Sequence, residues 1–440
     1  MTAEIRWLWS RLNANYWFYP ALFSLVGAAL AFTLIWLDRN GFAEWLNQVP
    51  QIVPARPDGA SNMLTVIAGS MIGVASTVFS ITIAAVAYAS GTYGPRLLTN
   101  FMEDKGNQLS LATFIGTFVY AITVLRTVRA EDEVAASAQD AASTALPGFV
   151  PQLSLLVAYG LMALSVAVLV YFLNHVPSSI RINTVLEGIG RRLLDQVREE
   201  YPEPNTAAEP ESQPAGRPVM ARGTGYVQLV DFEDLGKLSE KHGCSFALKV
   251  RTGDFVHPGM ALAEVSGEVD IDAVERSVTD AFILGATRTP KQDPQFLIDE
   301  LVEIALRALS PGINDPFTAI TALHWLGAAT ADLGTRDLRK NARNEADAKY
   351  VYPLPDDFAH YLKRGFGNVR SAVATSPNAA QVMFDTLHHA SLPIDDESRV
   401  ALLRTEGRRL LEQARERLVG PDLQDVEARY VGFERAFEAR

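Results

Sequence analysis

Four long apolar runs dominate the first 173 residues of this chain. The longest extends from Met63 to Ala89, holds no charged residue, and as a helix would be roughly 40 Å long. Because a hydrocarbon layer is about 30 Å thick, a run of this length can cross a membrane even when tilted. Similar runs cover about 17–37, 109–125 and 152–173. The pattern predicts a transmembrane domain of four helices over residues 1–173.

Small and hydroxylated residues recur at helical spacing in the second and third runs, so each set would share one helix face. We expect these faces to lie against protein and to pair with each other, because small residues allow close backbone approach and hydroxyls can bond between helices. The alternative is a wet or conducting surface. Arg126 ends the third run as an interfacial anchor or as a selectivity residue. The residues of this membrane polar face are Ser70, Gly73, Thr77, Ser80, Thr113, Thr117, Tyr120 and Arg126.

Four crossings place both chain termini on one side of the membrane. The short flanks on that side hold eight Lys or Arg residues, against four on the other side. By the positive-inside rule, both termini are predicted to be cytoplasmic. The acidic, Ala/Ser-rich loop at 130–146 is then expected outside.

Beyond the fourth crossing the hydrophobic pattern changes twice. Apolar residues repeat every three or four positions over 174–201, which predicts an amphipathic connecting helix. The Pro- and Glu-rich stretch 202–218 is typical of a linker. Alternating strand-like runs predict a small β-barrel or sandwich over 219–270, and helical patterns return over 271–440 as a helical domain. The predicted fold class is therefore mainly α, a membrane region followed by a small β domain and a helical bundle.

Two helices of the last domain are expected to begin at the dipeptides Asp293-Pro294 and Asp315-Pro316. Each dipeptide supplies an N-cap acceptor followed by Pro at the first helical position. The corner between the helices is rich in polar residues and could bind an anion at a helix N-terminus, with Arg288 nearby. It could equally be a capped turn, and Asp293 and Asp315 could form a dyad if the fold brings them together. The candidate ligand-binding residues are Ser310, Asn314, Asp315, Thr318, Asp293 and Arg288.

Several function classes find no support in the sequence. The net charge of −12 disfavours a nucleic-acid binder, and the single Cys244 excludes an internal disulfide. The seven histidines show no helical zinc spacing, and nucleotide-binding loops and a nucleophile elbow are missing. We therefore expect no metal, no cofactor and no catalytic residue, which makes an enzyme the least favoured class.

A family resemblance rests on long motifs. They are IAGSMIGVASTVFSITIAAVAYASGTYGPRLLTNFMEDKGNQ at the second crossing, FIGTFVYAITVLRTVR at the third and RALSPGINDPFTA at the corner. The chain resembles the bacterial predicted membrane proteins of domain of unknown function 2254, over nearly its whole length. The resemblance implies a bacterial inner-membrane location and no established activity.

Two functions fit these observations. The first is an oligomeric, channel-like or transport-related membrane protein, in which the polar faces line a path for a small ion or solute and the cytoplasmic part is regulatory. The second is a non-conducting, membrane-anchored scaffold or ligand sensor. The expected partners are the lipid bilayer and further copies of the chain.

Overall fold

The computed structural model describes residues 15–42, 56–94, 104–129, 149–201, 203, 215–338 and 350–440. The chain divides into two compact units, Met1–Arg181 and Ile182–Arg440. The predicted outer loop 130–146 and most of the predicted linker 202–218 lie outside the described residues.

The described part of the first unit contains four helices that are long and apolar enough to cross a membrane, as predicted. All four extend beyond the predicted apolar runs at one end or both. The second begins early, with Pro57 at its first position, and the fourth continues through Pro177. The helices are α1 (Phe18–Arg39), α2 (Pro57–Tyr93), α3 (Lys105–Leu125) and α4 (Gln152–Ser179).

Helix α3 is the centre of this unit and packs against α1, α2 and α4. At the crossing with α1 the backbones nearly touch: a Cβ added to Gly27 would lie 2.6 Å from the Gly116 carbonyl oxygen. Such contact requires glycine on at least one helix.

Two aspartates tie the membrane helices together near their ends. The carboxylate of Asp38 caps α4 by accepting bonds from the backbone N–H groups of Leu153 and Ser154, at 3.0 Å each. Asp104 caps α3 through the Asn107 N–H at 3.0 Å, and its carboxylate lies 2.9 Å from Nε2 of His175 on α4. Each carboxylate therefore links one helix end to a neighbouring helix.

The second unit begins with α5 (Ile182–Glu200), whose apolar face is buried. Its strands are β1 (Arg217–Met220), β2 (Gly225–Val230), β3 (Ser245–Leu248), β4 (Phe255–Val256), β5 (Ala261–Ser266), β6 (Phe282–Gly285) and β7 (Val351–Tyr352). Its further helices are α6 (Phe232–His242), α7 (Ile271–Asp280), α8 (Pro294–Ala308), α9 (Pro316–Gly334), α10 (Phe358–Leu362), α11 (Asn368–Val373), α12 (Pro377–Ser391), α13 (Glu397–Arg417) and α14 (Gly420–Glu438). A π-helical turn, Lys363–Gly367, joins α10 and α11.

The strands form two small sheets, one with the order β1-β5-β3-β7 and one with the order β4-β2-β6. Within the described residues these sheets do not close into a barrel, so the predicted β-barrel is not confirmed. Each sheet also takes a strand from the region predicted to be helical. Strand β6 pairs with β2, and β7 pairs in parallel with β3.

A single apolar cluster fills the space around the two sheets. It includes Val227, Phe246, Val256 and Val265 from the strands and Val274 from α7. Cys244 belongs to the same cluster and is buried. The helices α5, α8 and α9 pack against one another as a second group.

Candidate functional site

The predicted polar face of α2 is exposed in this chain. Ser70, Gly73, Thr77 and Ser80 are all accessible, and a Cβ added to Gly73 would meet no atom within 4 Å. The opposite face of α2 is the packed one, with Leu64, Ile67, Ala68, Met71, Ala75 and Val78 buried. No other described part of the chain covers the small-residue face.

The hydroxyl groups on this face bond within their own helix. Ser70 Oγ donates to the Val66 carbonyl at 2.6 Å, and Thr77 Oγ1 donates to the Gly73 carbonyl at 3.0 Å. Ser80 Oγ does the same one turn further on, at 2.9 Å from the Ser76 carbonyl. Such back-bonding satisfies each hydroxyl donor without a second helix.

Two of the predicted polar residues of α3, Thr117 and Tyr120, bond to α4. Thr117 Oγ1 lies 3.2 Å from Ser165 Oγ, and the Tyr120 hydroxyl donates to the Ser154 carbonyl at 2.8 Å. Both side chains are buried, whereas Thr113 is partly exposed and Arg126 is exposed where α3 ends. The expected pairing of the α2 and α3 polar faces is therefore wrong, because α3 buries its hydroxyls against the backbone and hydroxyls of α4.

Two of the predicted ligand-binding residues bond to each other in the second unit. Arg288 Nη2 lies 2.6 Å from Asp293 Oδ2, and Arg288 Nη1 lies 2.6 Å from Asp299 Oδ2. Arg364 binds the other side of Asp299 with Nε at 2.7 Å and donates to Gln295 at 2.7 Å. These ion pairs form a buried ladder of alternating negative and positive side chains, which joins α8 to the π-helical turn. Its members are Asp293, Arg288, Asp299 and Arg364.

Burial and pairing act differently on the two carboxyls of this ladder. Burial raises the pKa of Asp293 to about 6, although Arg288 favours the charged form. Burial also disfavours the charge on Asp299. Its two arginine partners nevertheless keep the pKa of this carboxyl below its usual value, and Arg364 has the larger effect of the two. Asp299 is therefore the firmly ionised member of the pair.

A cavity of about 50 Å³ lies beside this ladder. Its wall includes Asp293 and a cluster that the sequence analysis missed. The Tyr201 hydroxyl donates to Asp356 Oδ2 at 2.5 Å, and the Tyr361 hydroxyl lies 2.6 Å from the Tyr201 hydroxyl. Because Tyr201 uses its proton on Asp356, Tyr361 must be the donor in the second bond.

The cluster is completed by Arg251, whose Nε lies 2.8 Å from Asp356 Oδ1. Burial raises the pKa of Tyr201 and of Tyr361 well above the ordinary range, so both phenols stay protonated donors. Burial also raises the pKa of Asp356, against the opposing effect of Arg251. No local pattern marks these residues, which come from three distant parts of the sequence.

The remaining predicted residues form a turn at the other end of α8. Asp315 Oδ1 accepts the Thr318 N–H at 3.2 Å and Oδ2 accepts the Thr318 hydroxyl at 2.6 Å, which confirms the expected N-cap. Ser310 accepts the Asn314 N–H through its carbonyl at 2.9 Å. Asp293 precedes α8 and Asp315 follows it, so the length of a 15-residue helix, about 22 Å, separates them. The hypothetical dyad is therefore wrong.

The two helices that start at Asp-Pro share one backbone feature. Gln292 and Asn314, which directly precede the aspartates, both have positive φ, 55° and 49°. Asparagine tolerates this left-handed region better than most residues. Within the described part of the chain, His, Cys, Asp and Glu form no group suited to a metal ion.

Comparison with known proteins places these features in a family. The model of the family described as predicted membrane protein (DUF2254) matches residues 13–389. Uncharacterised proteins of Mycobacterium bovis and Mycobacterium tuberculosis are each 32% identical over 362 residues, which is 80% of this chain and 67% of the relative. No solved structure matches the chain significantly. The chain therefore belongs to the predicted membrane protein family of domain of unknown function 2254.

Proposed function

We propose that this protein is a homo-oligomeric, channel-like protein of the bacterial inner membrane, with a cytoplasmic regulatory unit. The observation that carries the proposal is the exposed small-residue face of α2. Gly73, Thr77 and Ser80 lie opposite the packed face of the same helix, and no described residue of this chain covers them.

Small residues on a membrane helix favour close approach of another helix. In a homo-oligomer, that helix would be α2 of a neighbouring copy, because each copy carries the same uncovered face. Around a symmetry axis these faces would bring hydroxyl oxygens together from every subunit. Hydrogen-bonding groups that line a pore help to determine which ions or small solutes pass through it.

The orientation in this proposal comes from the positive-inside rule. Exposed Arg181 and Arg191 follow the fourth helix, on the side assigned to the cytoplasm. The second unit, which begins at Ile182, then lies in the cytoplasm.

Cross-linking tests the oligomer directly. In a Cys244→Ala background, Gly73→Cys and Ser80→Cys should each form covalent dimers in the membrane. Leu164→Cys and Val166→Cys on α4, which are 52% and 54% exposed, are matched controls and should not. Equal cross-linking at both sets of positions would contradict the proposed α2 interface.

Flux measurements test conduction separately. Purified protein in liposomes should pass small ions or small neutral solutes, and Ser80→Leu should lower that flux because it places an isobutyl group on the polar face. Cross-linking of α2 without any flux would support the oligomer and contradict conduction.

A second function, ligand sensing without conduction, is favoured by the cavity of the second unit. Its wall combines paired tyrosine hydroxyls, the Asp356 carboxylate and the Arg251 guanidinium. Small-molecule sites commonly combine an apolar wall with a few convergent polar groups. A screen for ligands that raise the melting temperature of the wild type and not of Tyr361→Phe would support this function. A protein that neither conducts nor responds to any ligand would contradict both.

A further inference from the structure

The corner between α8 and α9 exposes apolar side chains that its turn does not require. Phe317 is 72% exposed and Ile313 is 43% exposed, and Leu306 on the last turn of α8 is 37% exposed. The cap made by Asp315 explains why the chain turns here. It does not explain why the side chains at the tip are apolar, since exposed turn positions are usually polar.

Contacts within the second unit fix the end at which this corner lies. A Cβ added to Gly190 of α5 would meet the Trp325 ring of α9, and further along Arg198 Nε lies 2.9 Å from Asp332 Oδ2. Both pairs advance in the same direction, so α5 and α9 run parallel. Nine residues before Trp325 is Pro316, and nine before Gly190 is Arg181. The corner therefore lies level with the first turn of α5.

The first turn of α5 is tethered to a membrane helix. Helix α4 ends at Ser179 and α5 begins at Ile182, so only two residues lie between them. Three Cα steps of 3.8 Å reach at most about 11 Å. One of the two linking residues, Arg181, is exposed. The end of the second unit that carries the corner is thus the end at which the chain leaves α4 through a two-residue link.

We propose that this corner, residues 306–317, inserts shallowly into the lipid interface of the bilayer. Phe317 and Ile313 would enter the boundary between headgroups and acyl chains, and Arg181 would lie among anionic headgroups. Exposed aromatic and aliphatic side chains bind the lipid interface, and basic residues add attraction to anionic lipids. The binding partner is the lipid bilayer itself, because the second unit is joined to a membrane helix by a link of two residues. The insertion would fix the second unit against the bilayer whether or not the protein conducts.

Depth-dependent quenching in the full-length protein tests the proposal. Phe317→Cys in a Cys244→Ala background is labelled with the fluorophore NBD and reconstituted into vesicles of phosphatidylcholine and phosphatidylglycerol. Lipids that carry a spin label near the headgroup end of the acyl chain should quench this label several-fold more than the control. Its emission should also shift to shorter wavelength.

The matched control is Leu392→Cys. Leu392 is also an exposed apolar residue, at 57%, and lies near the far end of α9, since Ile394 contacts Gly334 there. Equal quenching at positions 317 and 392 would overturn the proposal. A blue shift at 317 without lipid quenching would also overturn it and would place another copy of the chain on the corner. Phe317 is largely exposed, so its replacement should leave the melting temperature unchanged. That measurement checks that the labelled variant is folded.

Discussion

Asp293 and Asp315 stand in nearly the same local sequence but in different surroundings. Each follows a residue with positive φ and caps the helix that starts at the next proline. Asp293 is 1% exposed and paired with Arg288, whereas Asp315 is half-buried and its carboxylate accepts two hydrogen bonds from Thr318. The same dipeptide therefore serves as part of a buried ion pair in one place and as a simple cap in the other.

The two caps should respond differently to truncation. Asp315→Ala should lower the free energy of unfolding by about 0.5 to 2 kcal/mol, and Asp315→Ser by a few tenths, because Ser keeps an acceptor for the backbone N–H. Asp293→Ala should cost more than Asp315→Ala, because it removes a helix cap and also one of the two carboxylate partners of the buried Arg288. Thermal and denaturant unfolding in detergent measures all three. A loss at Asp315→Ser as large as at Asp315→Ala would argue that the charge, and not the cap, matters at the corner.

The Asp293 carboxyl also predicts a pH dependence of stability. Its pKa is raised by burial from 3.8 to about 6, so between these values the folded state binds more protons at this group than the unfolded state does. Its contribution is complete below pH 3.8 and is lost as the pH rises through 6. From pH 4.5 to pH 7 the wild type should lose about 2 kcal/mol more than Asp293→Asn does. Parallel stability curves for the two proteins would contradict the raised pKa.

At the scale of elements, the membrane helices were predictable because their signal is local. An uncharged apolar run of about 20 residues specifies a spanning helix without reference to the rest of the chain. The N-cap at Asp315 was predictable for the same reason. Strand β7 was not, because Val351 and Tyr352 pair with Phe246 and Ala247 more than 100 residues earlier. The cluster of Tyr201, Tyr361 and Asp356 depends on equally distant contacts.

The faces of the membrane helices were harder to predict than the helices themselves. The small residues of α2 suggested a buried face, yet this chain buries the opposite side. A close backbone contact lies instead between Gly27 of α1 and Gly116 of α3. Glycine at helical spacing signals that close approach is possible, but not which helix makes it.

A matched pair of glycine substitutions tests this difference. Gly27→Ala should destabilise the protein by about 1 to 3 kcal/mol, because its Cβ would lie 2.6 Å from a carbonyl oxygen. In the monomer, Gly73→Ala should be neutral or stabilising by up to about 1 kcal/mol, because no atom of the same chain lies near this site and Ala favours helix. Melting temperatures in detergent give the comparison. A greater loss at Gly73 than at Gly27 would mean that another helix covers the α2 face in the purified protein.

For the whole molecule, the orientation in the membrane decides which solution the second unit meets. The native Cys244 cannot report it, because its side chain is buried in the β cluster and would resist labelling on either side. Two introduced cysteines in a Cys244→Ala background serve better. Ser143→Cys lies in the predicted outer loop, and Val419 is an exposed position of the second unit, at 82%.

An impermeant maleimide applied to intact cells should label Ser143→Cys, because four crossings with cytoplasmic termini place that loop outside. Val419→Cys should react only after the cells are permeabilised. Its high exposure makes failure to react in intact cells a result of location and not of burial. Labelling of Val419→Cys in intact cells, with protection of Ser143→Cys, would reverse the orientation. It would place the cavity, the charged ladder and the apolar corner on the outer side of the membrane.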